Sequence, residues 1–379
     1  MHRRWFRLGG RRPPNEGGAD QAGDFARIFG CGGPQPNFLW FDHASTVAAG
    51  ARAAYLAGMT DLDPPAFLDA DRPDVPDLVV PRAIQPFYLP DRPVRGRLIR
   101  LGPLADALLS RRPNHPAVTA LTGQALALVA ALASALKFRG AFSLQVKGDG
   151  PIKLLLADCT DSGNLRGYAQ ADPDRLAALL ATDPTPAART LVGDGYLAFT
   201  VDQGTQADRH QGIVTISGRS LADMTLHYFA TSEQMACTIR LACARGDDGW
   251  RASALILERI AGLGGIETSL SAADQEEAWR TANILAETLT DAELLDDTLP
   301  AETLLYRLFH TEGVAADLPR ALAYGCRCSR QRLSNVLETF TTDDLDHMNA
   351  DGAIVMTCEF CNYDFRFQRT DVRGQRTDH

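Results

Sequence analysis

Four of the eight cysteines stand in two tight pairs near the end of the chain, Cys326 and Cys328 in AYGCRCSR and Cys358 and Cys361 in MTCEFCNYDF. Two pairs of thiolates suit a tetrahedral zinc ion, which takes soft sulfur ligands and has no redox chemistry of its own. The 29 residues between the pairs leave room for a short helical unit. His310 and His347 are alternative ligands, but four cysteines already complete the set. The same thiolates are oxidisable. A disulfide between residues two apart must bend the chain, so a C-x-C bridge is strained and easily reduced. Its formation would eject the metal. Four chemistries are open at this point: a structural zinc site, a switch that couples metal to redox state, a thiol–disulfide oxidoreductase using the C-x-x-C, and a zinc ribbon that binds nucleic acid.

Context weighs against the last two. An oxidoreductase carries its C-x-x-C at a helix N-terminus in a thioredoxin-like setting, whereas here NYDFRF, a strand-like run, follows it. Residues 310–379 hold eight Arg and no Lys against eleven Asp plus Glu. The whole chain has net charge −9 and a pI near 5.4, without the basic footprint that drives nucleic-acid binding. No Walker A sequence and no Ser/His/Asp order is present, so ATP-driven action and serine hydrolysis are disfavoured. Residues 311–366 are too few for a comfortable core of their own. Structural zinc supplies on the order of 10–16 kcal/mol in small sites, against whole-domain stabilities of roughly 5–15 kcal/mol. Losing the metal should therefore unfold this segment.

The elements that must position the cysteines begin near residue 83. QPFYL and VRGRLIRLG read as strands, 104–110 and 116–136 as helices, and AFSLQVKGDGPIKLLLADC as a hairpin about Gly148-Asp149-Gly150. Two further hairpins, GYLAFTVDQG with HQGIVTISG and MACTIRLACARGDDGWRASALILERI, flank a helical stretch at 221–232. Consecutive hairpins with few helices define an α+β domain with a largely antiparallel sheet. The uncharged run 116–136 has the length of a membrane span, but its Ala-rich composition and its Thr, Gly and Gln residues fit a helix buried in a protein core.

Residues 267–302 carry ten acidic residues and one basic, Arg280. Their pattern is helical, with capping-box starts at Ser271 with Asp274 and Thr290 with Glu293. Trp279, Ala282, Leu285 and Leu289 form one apolar stripe, and Leu304, Leu305, Leu308 and Phe309 another. Two readings stand here: ordinary helices covering a neighbouring face, or a metastable linker whose crowded acids repel one another.

Residues 1–82 are Gly/Arg-rich and then Asp/Pro-rich, a composition expected of a disordered extension. An amphipathic piece at 38–56 is the one exception, and a translation start at Met59 is expected to make the first 58 residues an artefact. The basic start lacks the apolar core of a signal peptide. With clustered thiols and no leader, a reducing cytoplasm is the expected compartment. Cys159, Cys237 and Cys243 are expected to be buried, and Cys31 to be the exposed thiol.

Together these residues resemble the redox-regulated holdase chaperones of the heat shock protein 33 class, the 33 kDa chaperonin family. The likeness runs through VRGRLIRLG, LKFRG, QVKGDGP, LRGYA, YFATSEQ, LLYRLFH, CRCSR and CEFC in the family's order. Gln124 stands where the family commonly shows Glu. The resemblance implies an α/β chaperone core at 83–265, a redox-sensitive helical linker at 266–310, a zinc-binding switch domain at 311–370 and a disordered tail at 371–379. It implies a stress-response protein, not an enzyme, that binds unfolding clients without ATP. One zinc per chain would be held in the reduced state by Cys326, Cys328, Cys358 and Cys361. Oxidation would pair Cys326 with Cys328 and Cys358 with Cys361, release zinc, loosen the linker and allow a homodimer, with clients passing later to ATP-dependent foldases. Nucleic acid and membrane are not among the implied partners.

Overall fold

The computed structural model describes residues 77–203, 210–260, 271–349 and 351–372. The expectations for residues 1–76, including the piece at 38–56, Met59 and Cys31, lie outside the described residues, as do 373–379 of the tail.

Strong alternation and β-branched residues put eleven strands into one sheet. Its strands are β1 Val79–Leu89, β2 Val94–Arg100, β3 Ala141–Gly148, β4 Ile152–Thr160, β5 Asn164–Ala171, β6 Gly195–Asp202, β7 His210–Thr215, β8 Cys237–Gly246, β9 Gly249–Arg259, the two-residue β10 Ala315–Ala316 and β11 Arg320–Tyr324. The spatial order is β7-β6-β3-β4-β5-β11-β1-β2-β9-β8, with β10 beside β1. All three expected hairpins form with antiparallel register: β3 with β4, β6 with β7 and β8 with β9. Among the described strands one pairing is parallel, β11 with β5. It brings the approach to the cysteines into the middle of the sheet.

That insertion differs from the boundaries read in the sequence. β10 and β11, assigned there to the metal-binding segment, lie in the main sheet. Val80 opposes Leu322, and Phe87 opposes Ala316. β1 likewise begins at Val79, so residues 79–82 belong to the sheet and not to the N-terminal extension. Short strands such as RALAY carry no local signal that names their partner, because register is set by the strand they meet.

Helices close both faces. α1 Pro103–Leu109 and α2 Pro116–Ala135 lie over one face. α2 starts with Pro at its first turn and a His115 side chain accepting from Ala117 N, and 15 of its 20 residues are buried. It therefore packs as a core helix: 83% of its apolar window is buried inside the protein. Gly123 is required there, since a Cβ would lie 2.3 Å from Cys243 Sγ. Short helices α3 Pro173–Thr182, α4 Ala188–Val192 and α5 Leu221–Tyr228 fill the ends of this layer, the last running into a π-turn at Phe229–Glu233.

The acidic segment forms α6 Ala272–Glu287, α7 Asp291–Leu295 and α8 Ala301–Phe309. Both expected capping boxes are present, Ser271 with Asp274 and Thr290 with Glu293. Trp279, Ala282, Leu289, Leu304, Leu305, Leu308 and Phe309 close a second core over Phe87, Leu89, Val94, Leu98, Leu255 and Leu257. β9 is thus buried on both sides, which explains its unbroken apolar run ALIL at 254–257. The remaining chain makes α9 Arg330–Leu337, α10 Thr342–Met348 and a hairpin of β12 Ala353–Thr357 with β13 Asp364–Gln368.

Candidate metal centre

β11 delivers the first cysteine pair. Tyr324 N donates to Leu78 O and Gly325 N to Leu165 O, at 3.0 and 2.9 Å. Gly325 must be glycine, because a Cβ would come within 2.6 Å of the Asn164 and Leu165 backbone. Cys326 follows directly, then Arg327 and Cys328, and Ser329 caps α9 by accepting from Arg332 N. The second pair sits in the turn between β12 and β13. There Cys358 N donates to Tyr363 O (2.9 Å), Asn362 N donates to Cys358 O (2.8 Å), and Asn362 adopts the left-handed conformation at φ 55°. Asn tolerates that region better than most residues. The C-x-x-C therefore lies in a strand-to-strand knuckle, not at a helix N-terminus.

These two limbs bring all four sulfurs within 4.8 Å of one another. Cys326 Sγ is 3.4 Å from Cys328 Sγ and 3.7 Å from Cys358 Sγ, and Cys328 Sγ is 3.5 Å from Cys361 Sγ. Tetrahedral ligands at a zinc–sulfur distance of 2.3 Å stand about 3.8 Å apart, so the set has the size of a metal site. Cys326, Cys358 and Cys361 are buried and Cys328 is half-buried, all as free thiols. Hydrogen bonding among the sulfurs pulls the Cys326 thiol down, chiefly through Cys328, and the Cys358 thiol down, chiefly through Cys326. Cys328 and Cys361 rise, each through its contact with Cys326. Crowded thiols thus share protons, which a bound dication displaces. His310 and His347 take no part. Each ring nitrogen Nδ1 instead contacts a carbonyl on its own helix turn, Tyr306 O and Asp343 O respectively. Cys159, Cys237 and Cys243 stand apart from the cluster; Cys159 is buried as expected, whereas Cys237 and Cys243 are half-buried on β8, and desolvation pushes each thiol up to about 12, which disfavours the nucleophilic thiolate.

Sequence reasoning missed how the cluster is held against the sheet. Pairing of β11 with β5 stops at Tyr324 and Leu165, so the rest of β5 borders no described strand on that side, and the two cysteine limbs lie there. Arg327, between the first two cysteines, makes an ion pair with Asp158 of β4. Asp158 also accepts from Arg166 Nε of β5 at 2.7 Å. Arg166 in turn lies 3.9 Å from the centre of the Phe360 ring, in the C-x-x-C spacer. A lone Arg inside C-R-C and the polar pair in LRGYA were the available signals, but only folding shows that they converge.

Comparison with known proteins agrees with this geometry. The family model for the Hsp33 protein matches residues 83–368. The chain belongs to the Hsp33 family. Curated relatives of that family include the 33 kDa chaperonin of Caulobacter vibrioides, 38% identical over 301 residues, which cover 78% of this chain and 97% of the relative. The 33 kDa chaperonin of Azotobacter vinelandii is 35% identical over 290 residues, 76% of this chain and 92% of the relative. A solved structure of the 33 kDa chaperonin (heat shock protein 33 homolog) from Thermotoga maritima superposes with a TM-score of 0.61 at 20% identity, covering 76% of this chain and 96% of that one. It supports the fold. The α+β architecture expected from the hairpin pattern is thus found in both the chain and its structural neighbour.

Proposed function

We propose that this chain is a redox-regulated, ATP-independent holdase whose four clustered cysteines are the switch. Family membership and the chaperonin names of its relatives make it a chaperone and not an enzyme, and unfolded client proteins are the partners that follow from that class. The observation that carries the regulation is the ring of four sulfurs at metal-ligand spacing. In the reduced protein Cys326, Cys328, Cys358 and Cys361 hold one zinc ion, which supplies a fixed tetrahedral centre that ties the β11 limb to the β12–β13 knuckle.

Under oxidative stress two peroxide molecules would consume the four thiolates. Each disulfide would form as two thiolates give up two electrons to one peroxide, whose O–O bond breaks and whose two oxygens leave as water after taking up two protons from solvent. Pairing Cys326 with Cys328 and Cys358 with Cys361 keeps each bond within its own limb, so the limbs separate and the zinc is released. Functionally the chain divides into a core at 83–265, a linker at 266–310 and a switch segment at 311–370 whose first strands are anchored in the sheet. Release of α6, α7 and α8 would uncover Phe87, Leu89, Val94, Leu98, Leu255 and Leu257, an apolar surface suited to unfolded chains. The active form is a cytoplasmic homodimer that passes clients to ATP-dependent foldases.

Light scattering from a heat-unfolding client tests this, with the protein either reduced and zinc-loaded or pre-oxidised with peroxide at mildly raised temperature. Suppression of scattering by the oxidised form alone is expected. Equal suppression by both forms would remove the switch and leave the chaperone.

A further inference from the structure

The two residues between Cys358 and Cys361 are Glu359 and Phe360, and both are read by the core. Phe360 lies beneath the Arg166 guanidinium, 3.9 Å from its ring centre. Tyr168 meets the same ring edge-on, with centroids 5.0 Å apart and planes at 83°. Arg112 Nη1 donates to Glu359 O at 2.9 Å, and Arg112 also pairs with the Glu359 carboxylate. The Arg112 guanidinium lies over the Tyr168 ring at 5.7 Å. The recess continues past Phe360, lined by Leu108, Leu109, Thr119, Thr122 and Gly167.

An apolar floor, a cation over the ring face, an aromatic edge at its side and a second cation for the preceding residue form a complete recognition set for one dipeptide chemistry. Part of the set is anchored independently of its present occupant. Arg166 is held by Asp158 at 2.7 Å, so its guanidinium stays in place when Phe360 leaves. Neither Glu359 nor Phe360 supplies a sulfur, so the knuckle can ligate metal without them.

We infer that this recess beside β5 is a binding site for an aromatic side chain preceded by an acidic residue, filled by the chain's own Glu359-Phe360 in the closed form and by client segments of that kind when the knuckle lifts. The site rests on the chaperone reading for its occupant but not on the redox reading for its existence. Charge selects the client. A basic residue before the aromatic would face Arg112 and be repelled.

Fluorescence anisotropy with a labelled Gly-Ser-Glu-Phe-Ser-Gly peptide tests the site. Reduced, zinc-loaded Phe360→Ala keeps all four cysteines and should bind at least tenfold more tightly than the reduced wild type. Binding should fall at least fivefold for a Glu→Lys peptide, for a Phe→Ala peptide, and for Arg112→Ala added to the variant. Equal binding by wild type and Phe360→Ala, or indifference to peptide sequence, overturns the site. Should Phe360→Ala lose zinc, competition in the wild type takes its place. Saturating peptide should then speed amide exchange at 358–362 while zinc stays bound, and unchanged exchange overturns the site. Oxidised wild type that binds like Phe360→Ala supports both readings. Binding by Phe360→Ala without binding by the oxidised protein supports the recess and overturns its release by oxidation.

Discussion

One sheet is covered by two helical layers of opposite character. α2 has no charged residue and buries 15 of its 20 residues, and its side chains belong to the large core with β3, β4 and β5. α6, α7 and α8 bury one stripe each and turn acids outward. Their edges are tied down by arginines of the sheet. Arg259 pairs with Glu276 and Arg251 with Asp297, both at 2.6 Å, and Arg240 donates to Leu289 O at 3.0 Å. Arg100 donates to Glu293 O at 2.9 Å, and Arg82 pairs with Glu302. The acidic surplus of this segment is therefore partly complemented from the sheet, not only self-repelling. The contrast sets a face covered by an uncharged, largely buried helix against one covered by helices that keep a charged, solvated side. The first has no solvated state to go to. The second closes its own core over Phe87 and Leu257, keeps an acidic side in solvent, and adds rim contacts worth about 0.2–1 kcal/mol each.

The largest expected effect lies at the clustered cysteines. Cys358→Ser should lose zinc in the reduced protein, leaving residues 326–368 open to limited protease while the sheet stays intact. The scale is the roughly 10 kcal/mol that structural zinc adds to small sites. Retention of full zinc occupancy would remove Cys358 from the ligand set.

Next come the cores themselves. Phe309→Ala, which deletes a ring stacked 5.6 Å from Phe87, should cost about 3–5 kcal/mol. Fast amide exchange is expected within 272–309 and little change in α2. Leu126→Ala, at a fully buried position of α2, should cost about 2–5 kcal/mol and lower the melting temperature of the whole sheet. If Phe309→Ala instead accelerated exchange in α2 as much as in α6, the two layers would be one cooperative unit.

Smaller effects separate the layers by electrostatics. Raising salt should speed exchange in α6 a few-fold through screening of the arginine rim, and leave α2 unchanged. Hydrogen bonds from the Thr290 hydroxyl and backbone hold the Glu293 carboxyl below the usual range, and those of Thr298 do the same for Asp296. A depressed folded value means the contribution is present above the unfolded value and lost as pH falls through the folded one. The α6–α8 layer should therefore loosen below about pH 4, ahead of α2, which has no carboxylate. Exchange measured from pH 6 to 3 checks the order.

Much of this was legible in the chain. The hairpins follow from alternation and from Gly-containing turns, and the capping boxes of α6 and α7 from Ser271, Asp274, Thr290 and Glu293. The four cysteines announced themselves by spacing. What escaped was long-range: β5 in LRGYA, the parallel step from β5 to β11, and the Asp158 carboxylate shared by Arg166 and Arg327. None of these has a local period. Each is a contact between residues far apart in sequence, made by strands too short to specify a partner.

By itself, then, the sequence determined the hairpin strands and the long and capped helices, which helix lacks charge and must be buried, and which thiols come in pairs, because propensity, periodicity and spacing act over a few residues. Only the tertiary structure decided that β11 enters the main sheet and carries Cys326 to the edge of β5, that arginines of the sheet meet the acidic helices, and that Glu359 and Phe360 occupy a ready recess. Those outcomes depend on which surfaces meet, and burial and charge pairing are settled when the layers close.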